Sequence, residues 1–333
     1  MNLFSKERNR RRNEELFIWN GKILLEQLIK SCNGKCNPIR SFSAEEIKIA
    51  TNNYDPQNII TKDGYKLYEG HLQGRQVSVM KFSYEGYAEE GFNTIVFSSQ
   101  MRHKNILKLI GCCLESQVPT PVFESARRLT LANRIYGPGE RHLSLTERLK
   151  IAMEIANAIA YLHCGFPRPI VSRTIRSSNI VFDGENTAKL FDFELSMSIP
   201  EGETHIEDAV RGAWGCVAPD YFRTSKFNEM SDVYSFSSLL LELLTGKYIG
   251  DSIGDYESWE DYVKKHIEQN SFTEIVDPKI VGTGLSPEKE EQLLVFQELA
   301  FKCRRHSAED RPTMVDVAKQ LRNMYKSACQ IMS

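Results

Sequence analysis

No stretch of the sequence approaches the run of about 18 apolar residues that a membrane-spanning helix requires. Even Leu239 to Leu244 is interrupted by Glu242, so no transmembrane span is expected. An excess of charge of either sign is also lacking: 42 Lys and Arg against 44 Asp and Glu leave a formal net charge of −2. A nucleic-acid partner would leave a basic excess over a face or a whole domain, and none is expected here. Asn2 stands where N-myristoylation needs glycine. No secretory leader precedes the eight cysteines, which are scattered from Cys32 to Cys329; free thiols in a reducing compartment are expected. Cys32 and Cys36 have a spacing compatible with metal ligands, but no second pair follows, and no metal site is assigned.

What is present is a chain of 333 residues, 41% hydrophobic and 26% charged, the composition of a globular protein long enough for one large domain or two ordinary ones. Its first residues carry Lys6, Arg8, Arg10, Arg11 and Arg12 between apolar Leu3-Phe4 and Leu16 to Trp19. Such a segment suits either an anionic membrane surface or a solvated tail, diluted by Glu7, Glu14 and Glu15. A short helix is expected over Ile23 to Ile29, followed by turns at Asn33-Gly34 and Asn37-Pro38. Ser43-x-x-Glu46 has capping-box spacing and starts a helix with Ile47, Ala50 and Tyr54 on one face. Residues 1-41 therefore form an N-terminal extension to a main domain over 42-333.

Ile59 to Phe82 reads as a three-stranded meander, Ile59 to Lys62, Tyr65 to Leu72 and Gln76 to Phe82, with turns at Asp63-Gly64 and Gln73-Gly74. Further on, PIVSRTIRSSNIVFDGENTAKLFDFELS, from Pro169 to Ser196, alternates short apolar strands with polar turns. This stretch resembles the catalytic loop and metal-binding segment of a protein kinase, His-Arg-Asp-x-x-x-x-Asn followed by Asp-Phe-Gly. The spacing from Arg173 to Asn179 and on to Asp192 fits without a gap. The chemistry departs. Ser172 replaces the histidine, Thr174 the aspartate that accepts the substrate hydroxyl's proton, and Glu194 the glycine. A threonine hydroxyl is no base near neutral pH, and loss of a general base costs roughly 10²- to 10⁴-fold in rate.

Other positions repeat the pattern. Counting back from Tyr68-Glu69-Gly70, the glycines of the kinase phosphate loop Gly-x-Gly-x-x-Gly-x-Val fall on Ile60, Lys62 and Tyr65. By the usual length from Leu67, Ser78-Val79-Met80-Lys81 lies on Val-Ala-Ile-Lys and makes Lys81 the phosphate-binding lysine; reading Val77 to Met80 instead puts Met80 there. Lys81 is the reading adopted from the sequence. Aligned through Arg102 to Glu115, Thr94 takes the place of the helix glutamate that pairs with this lysine. Val122-Phe123-Glu124 fits the adenine-binding hinge. Ser144-x-x-Glu147 caps a helix with Leu149, Ala152, Ile155, Ala156, Ile159 and Leu162 on its core face. The activation segment ends at Ala218-Pro219-Asp220, with Ala213 where many such kinases carry threonine. Arg173 remains as a partner for a phosphate on a residue such as Thr204. Asp232 at the start of an apolar helix, and Arg311 as partner of Asp220, complete a retained scaffold.

The run from Phe42 to Tyr54 resembles the segment ahead of the kinase domain in plant receptor-like and wall-associated kinases, and the whole resembles the plant HopZ-ETI-deficient-related pseudokinases. That resemblance implies an α+β, two-lobed protein kinase fold, with an N-lobe over about 42-123 and a C-lobe over about 124-333. It implies a catalytically inactive, cytoplasmic adaptor, with peripheral plasma-membrane association open. The implied partners are a coiled-coil nucleotide-binding leucine-rich-repeat (NLR) immune receptor and effector-modified receptor-like cytoplasmic kinases. No cofactor is required on this reading. ATP enters in the alternatives, a weak or atypical Ser/Thr kinase or an ATP-gated switch, through Lys81, Asn179 and Asp192.

Overall fold

The computed structural model describes residues 3–62, 64–137, 142–251, 258–282 and 284–331; Asn2, Asp63 of the expected Asp63-Gly64 turn, and the side chains of Leu3, Phe4 and Lys62 lie outside the described residues. Contacts group the chain into two compact units, Met1–Thr130 with Val181–Ser196, and Leu131–Ile180 with Met197–Ser333.

The first unit opens with helix α1, Leu3–Cys32, far longer than the Ile23 to Ile29 helix expected from the sequence. Two causes extend it. Arg10–Glu14, Arg11–Glu7 and Lys22–Glu26 are i,i+4 ion pairs along its charged part. Its opposite side is docked: Leu24 and Leu28 are buried in the unit's core, and the buried Asn20 donates from Nδ2 to the carbonyls of Leu114 and Ser116 at 2.8 and 2.9 Å. The extension is thus part of the first unit's core.

After α1 come β1 (Arg40–Ser41), α2 (Ala44–Ala50), β2 (Ile59–Lys62), β3 (Tyr65–Leu72), β4 (Arg75–Phe82), α3 (Ala88–Gln100), β5 (Leu109–Cys113) and β6 (Thr120–Glu124). The strands form one sheet in the order β1-β5-β6-β4-β3-β2. Ser43 and Glu46 close the capping box at the start of α2. Gln73 and Gly74 both adopt left-handed backbone, φ 51° and 75°, the geometry of a two-residue hairpin loop. That loop pairs Leu72 with Arg75 and so sets the face of every later residue of β4. On the outer face α2 packs Ile47 and Ala50 against Val77, Val79 and Val122. The approach is close, since a Cβ on Gly70 would lie 2.9 Å from the Ala50 carbonyl oxygen. On the inner face Ile60, Tyr65, Leu67, Met80 and Phe123 join Phe92 and Ile95 of α3.

The chain then enters the second unit through α4 (Leu131–Tyr136), α5 (Leu145–Cys164) and β7 (Ile170–Val171), and returns to the first with the hairpin β8 (Ile180–Phe182) and β9 (Ala188–Leu190). The second unit resumes with β10 (Met197–Ser198), β11 (Ile206–Glu207), α6 (Pro219–Thr224), β12 (Lys226–Phe227), α7 (Glu229–Thr245), α8 (Trp259–Glu268), α9 (Pro278–Val281), α10 (Pro287–Cys303) and α11 (Met314–Ile331). Ser144 and Glu147 cap α5, whose face from Leu149 to Leu162 is buried. Gly246, left-handed at φ 66°, ends α7. A β-rich unit and a larger helical unit are the α+β pair of lobes that the motifs implied.

Candidate functional site

The catalytic-loop counterpart lies in the second unit, where β7 delivers Ser172 to Asn179. The Asp232 carboxylate, fully buried on α7, accepts from the Ser172 and Arg173 amides at 2.8 and 2.9 Å. His163, the penultimate residue of α5, lies 3.1 Å from the same carboxylate through Nε2. This anchor holds Arg173 in left-handed backbone, φ 64°. Beyond it the Thr174 hydroxyl is buried 3.1 Å from the Ser172 hydroxyl, and Asn179 Nδ2 donates to the Thr174 carbonyl at 2.9 Å. The loop is anchored at the Asp232 carboxylate, and the two positions that carry histidine and aspartate in a kinase carry two hydroxyls in contact. A hydroxyl pair supplies donors and acceptors but no group that takes a proton near pH 7.

In the first unit the strand lysine is not where the sequence placed it. Val77 and Val79 face α2, and Lys81 continues that outer side: its ammonium sits 3.7 Å from the centre of the Tyr54 ring. Partial burial, then the nearby Lys66 and Lys48 charges, holds the Lys81 pKa below the usual lysine range. Met80, fully buried, takes the inner face. The turn at Gln73-Gly74 sets the register, and a one-residue difference in register exchanges the two faces of a strand.

Around Met80 the inner face is lined by buried apolar side chains. Tyr65, at the third phosphate-loop position, has no exposure and meets Phe82 and Phe191 edge-on at 6.0 and 6.1 Å. Ile60, at the first, joins the same cluster with Val181. Next to the hinge strand the Ala126 amide is already satisfied by Ser78 Oγ at 3.0 Å, in the interior. Thr94, at the helix-glutamate position, is buried, and its hydroxyl has no hydrogen-bond partner among the described residues. The neighbouring Asn93 does the tying instead: its Nδ2 donates to the carbonyls of Glu194 and Ser196 at 2.8 and 2.9 Å. Asp192 is buried, with its Oδ1 accepting from the Glu194 amide at 3.1 Å. The left-handed residue of this stretch is Asp192, φ 73°, while Glu194 is not among the positive-φ residues. A long side chain at 194 is therefore accommodated without strain.

Over residues 66–321 the sequence matches the family described as protein tyrosine and serine/threonine kinase. It is 40% identical to the Arabidopsis thaliana protein named Non-functional pseudokinase ZED1, over 96% of this chain and 99% of that one. It is 38% identical to Serine/threonine-protein kinase ZRK1 of the same plant, over 93% and 92% of the two chains. The chain belongs to the protein kinase family, with the ZED1 and ZRK proteins. Wall-associated receptor kinase-like 1, also from Arabidopsis thaliana, is 33% identical over 98% of this chain but only 45% of its own length.

The arginine of the catalytic loop faces the activation segment. The Arg173 side chain is almost wholly buried and donates from Nη1 to Asp208 Oδ2 at 2.9 Å and from Nη2 to the Ala209 carbonyl at 3.0 Å. Its guanidinium lies 4.3 Å from the centre of the Phe227 ring. The position read as a phosphate partner thus already has a carboxylate. Arg311 pairs with Asp220, so the shortened acid of Ala-Pro-Asp still reaches. His163 and Asn93 were not singled out by the sequence reading. The first has a local signal, a polar residue at the helix end ahead of the loop; the second has none, because its partners lie a hundred residues away in the chain.

Proposed function

We propose that this chain is a catalytically inactive pseudokinase serving as an adaptor between a coiled-coil NLR immune receptor and effector-modified receptor-like cytoplasmic kinases in plant defence signalling. The observation that carries the inactive half is Met80: the inner sheet face holds a thioether among Tyr65, Leu67 and Phe123, and the lysine beside it is engaged with Tyr54 on the other face. Phosphoryl transfer is mostly positioning and electrostatic stabilisation of phosphate oxygens. A buried apolar face, an amide beside the hinge bonded internally and a hydroxyl in place of the base do not fit a nucleotide and its metal. Asn179 and Asp192 are retained in the sequence, but Met80 brings no charge for a phosphate. The names Non-functional pseudokinase ZED1 and Non-functional pseudokinase ZRK2 speak for this reading; Serine/threonine-protein kinase ZRK1 speaks for the rival, a weak kinase.

The adaptor half rests on the family resemblance. Among the described residues no helix is long and apolar enough to cross a membrane, which suits a cytoplasmic protein, peripheral at most. Ile18, Leu25 and Ile29 are 71%, 59% and 54% exposed on the undocked side of α1, an unusual number of aliphatic side chains left in water on one helix.

The test of inactivity is label transfer from Mg-ATP by the purified full chain, together with melting in its presence. A nucleotide at one hundred times its dissociation constant adds about 2.7 kcal/mol of stability; neither transfer nor a shift at millimolar Mg-ATP is expected. A melting shift without transfer identifies an ATP-gated switch, and transfer that Asp192→Asn abolishes identifies a kinase. The adaptor half is tested by affinity purification from plant tissue. Surface changes such as Ile18→Glu suit this better than truncation at residue 41, which would remove Leu24 and Leu28 from the core.

A further inference from the structure

We infer that Asp208 is a built-in substitute for a phosphate on the activation segment, so that this segment is held in its docked arrangement with no phosphorylation. The inference is independent of whether the chain transfers phosphate.

Kinase activation loops are ordered by phosphorylation, through new pairs between arginine and the phosphorylated residue. The modification works by bringing negative charge and strong acceptors to a waiting guanidinium. In this chain every part of that arrangement is encoded. The cation is Arg173, its side chain 3% exposed and its backbone fixed by the Asp232 carboxylate. The anion is Asp208, 2.9 Å away. A carboxylate brings one charge and two oxygens, where a phosphate brings about −1.5 to −2 and three oxygens. The shortfall in acceptors is made up locally by the Ala209 carbonyl and the Tyr221 hydroxyl, both bonded to Nη2. The Phe227 ring covers the guanidinium, a favourable placement for a cation.

The backbone around Asp208 is pinned by the same arrangement. Ile206 and Glu207 pair with Phe227 and Lys226 in a two-stranded ribbon. The Asp208 amide donates to the Ser225 carbonyl at 3.0 Å. The Tyr221 hydroxyl donates to the Ala209 carbonyl at 2.6 Å and accepts from the Arg211 amide at 3.0 Å. A two-residue ribbon has little stability of its own. The charge pair beside it, with Arg173 buried and the Asp208 side chain 35% exposed, helps to hold it, because hydrogen bonds between charged groups are about twice as strong as neutral ones. Thr204, in contrast, is exposed, with its hydroxyl 3.2 Å from His205 Nδ1. A phosphate added there would meet an arginine already neutralised and, four residues on, a carboxylate of like charge.

The experiment is amide hydrogen exchange on the full chain, read in peptides covering residues 199–211, with peptides from α5 as the control for global unfolding. Wild type is measured before and after phosphatase treatment, beside Asp208→Asn, Asp208→Glu and Thr204→Glu. The expected result is slow exchange in wild type that phosphatase does not change. Asn at 208 keeps the size and loses the charge, and exchange over 206–209 rises roughly tenfold or more while α5 is unaffected. Glu at 208 retains most of the protection, and Glu at 204 adds none. The inference is overturned if phosphatase loosens the wild-type segment, if Asn at 208 exchanges like wild type, if Glu at 208 exchanges as fast as Asn, or if Glu at 204 increases protection. The phosphatase comparison uses no variant, so it decides even where a substitution impairs folding.

Discussion

The Lys81 ammonium lies 3.7 Å from the centre of the Tyr54 ring, on the outer face of the sheet, while Met80 occupies the inner face. Tyr54 is itself unusual: it has left-handed backbone, φ 59°, packs edge-on against Tyr68, and burial pushes its phenol up to about 12. Its ring ties the turn after α2 to the end of β4. A double-mutant cycle of Lys81→Met and Tyr54→Leu is expected to give a coupling of about 0.5–2 kcal/mol in denaturant unfolding. Lys81→Met is also expected to leave the response to Mg-ATP unchanged. Zero coupling, together with a nucleotide response lost in Lys81→Met, would return the lysine to the phosphate site.

Restoring a carboxylate to the catalytic loop is not expected to restore activity. Thr174→Asp supplies the missing base, yet Met80 and Thr94 still offer no charge to position a phosphate, and Tyr65 is still buried on the inner face. Label transfer to a peptide by Thr174→Asp should stay at the background of the unmodified chain. Turnover at an ordinary kinase rate in this single variant would show that the remaining substitutions are tolerable.

Stability should depend on pH through Glu242. Burial on α7 pushes its carboxyl up to about 7, against the pull of the Ser177 hydroxyl, the Ile249 amide and the Tyr136 hydroxyl. The unfolded chain releases that proton near 4.3. Because the folded state binds the proton more tightly, this contribution is complete below the unfolded value and is lost as pH rises to about 7. At about 1.4 kcal/mol per pH unit the loss is on the order of 4 kcal/mol. Melting of Glu242→Gln between pH 5 and 8 should lack this fall; parallel profiles for the two proteins would remove Glu242 as its source.

Arg148 is the largest side chain with less than 2% exposure, bonded to the carbonyls of Leu143 and Leu243 at 3.0 and 2.7 Å and paired with Asp277. Removing one partner leaves an uncompensated buried charge. Arg148→Met is expected to cost about 3–5 kcal/mol in denaturant unfolding. Arg148→Met combined with Asp277→Asn should recover part of that, since Asn still caps α9, where Asp277 Oδ1 accepts from the Lys279 amide. A double variant less stable than the single one would contradict this account.

Local patterns carried much of the fold. The capping boxes at Ser43 and Ser144, the strands from Ile59 to Phe82 and the stop at Gly246 are properties of a few adjacent residues, and they appear where the sequence puts them. Helix α1 was only partly legible. Its charged first half has no strong apolar period, and the side chains that bury it, Asn20, Leu24 and Leu28, find their partners near residue 114 and in α3. Arg148 was not legible at all, because an arginine within a helical stripe reads as surface until its carboxylate, 129 positions on, is brought beside it.

The sequence alone determined which chemical groups stand at the catalytic positions: Ser172, Thr174 and Glu194 are what they are in any conformation, and a hydroxyl is no base. Only the tertiary structure decided which way β4 faces, because Met80 and Lys81 are adjacent and the choice turns on a hairpin register that composition does not record. The same holds for Arg173. Its charge is written in the sequence, but the anion that neutralises it lies 35 residues further along the chain, and only folding brings the two to 2.9 Å.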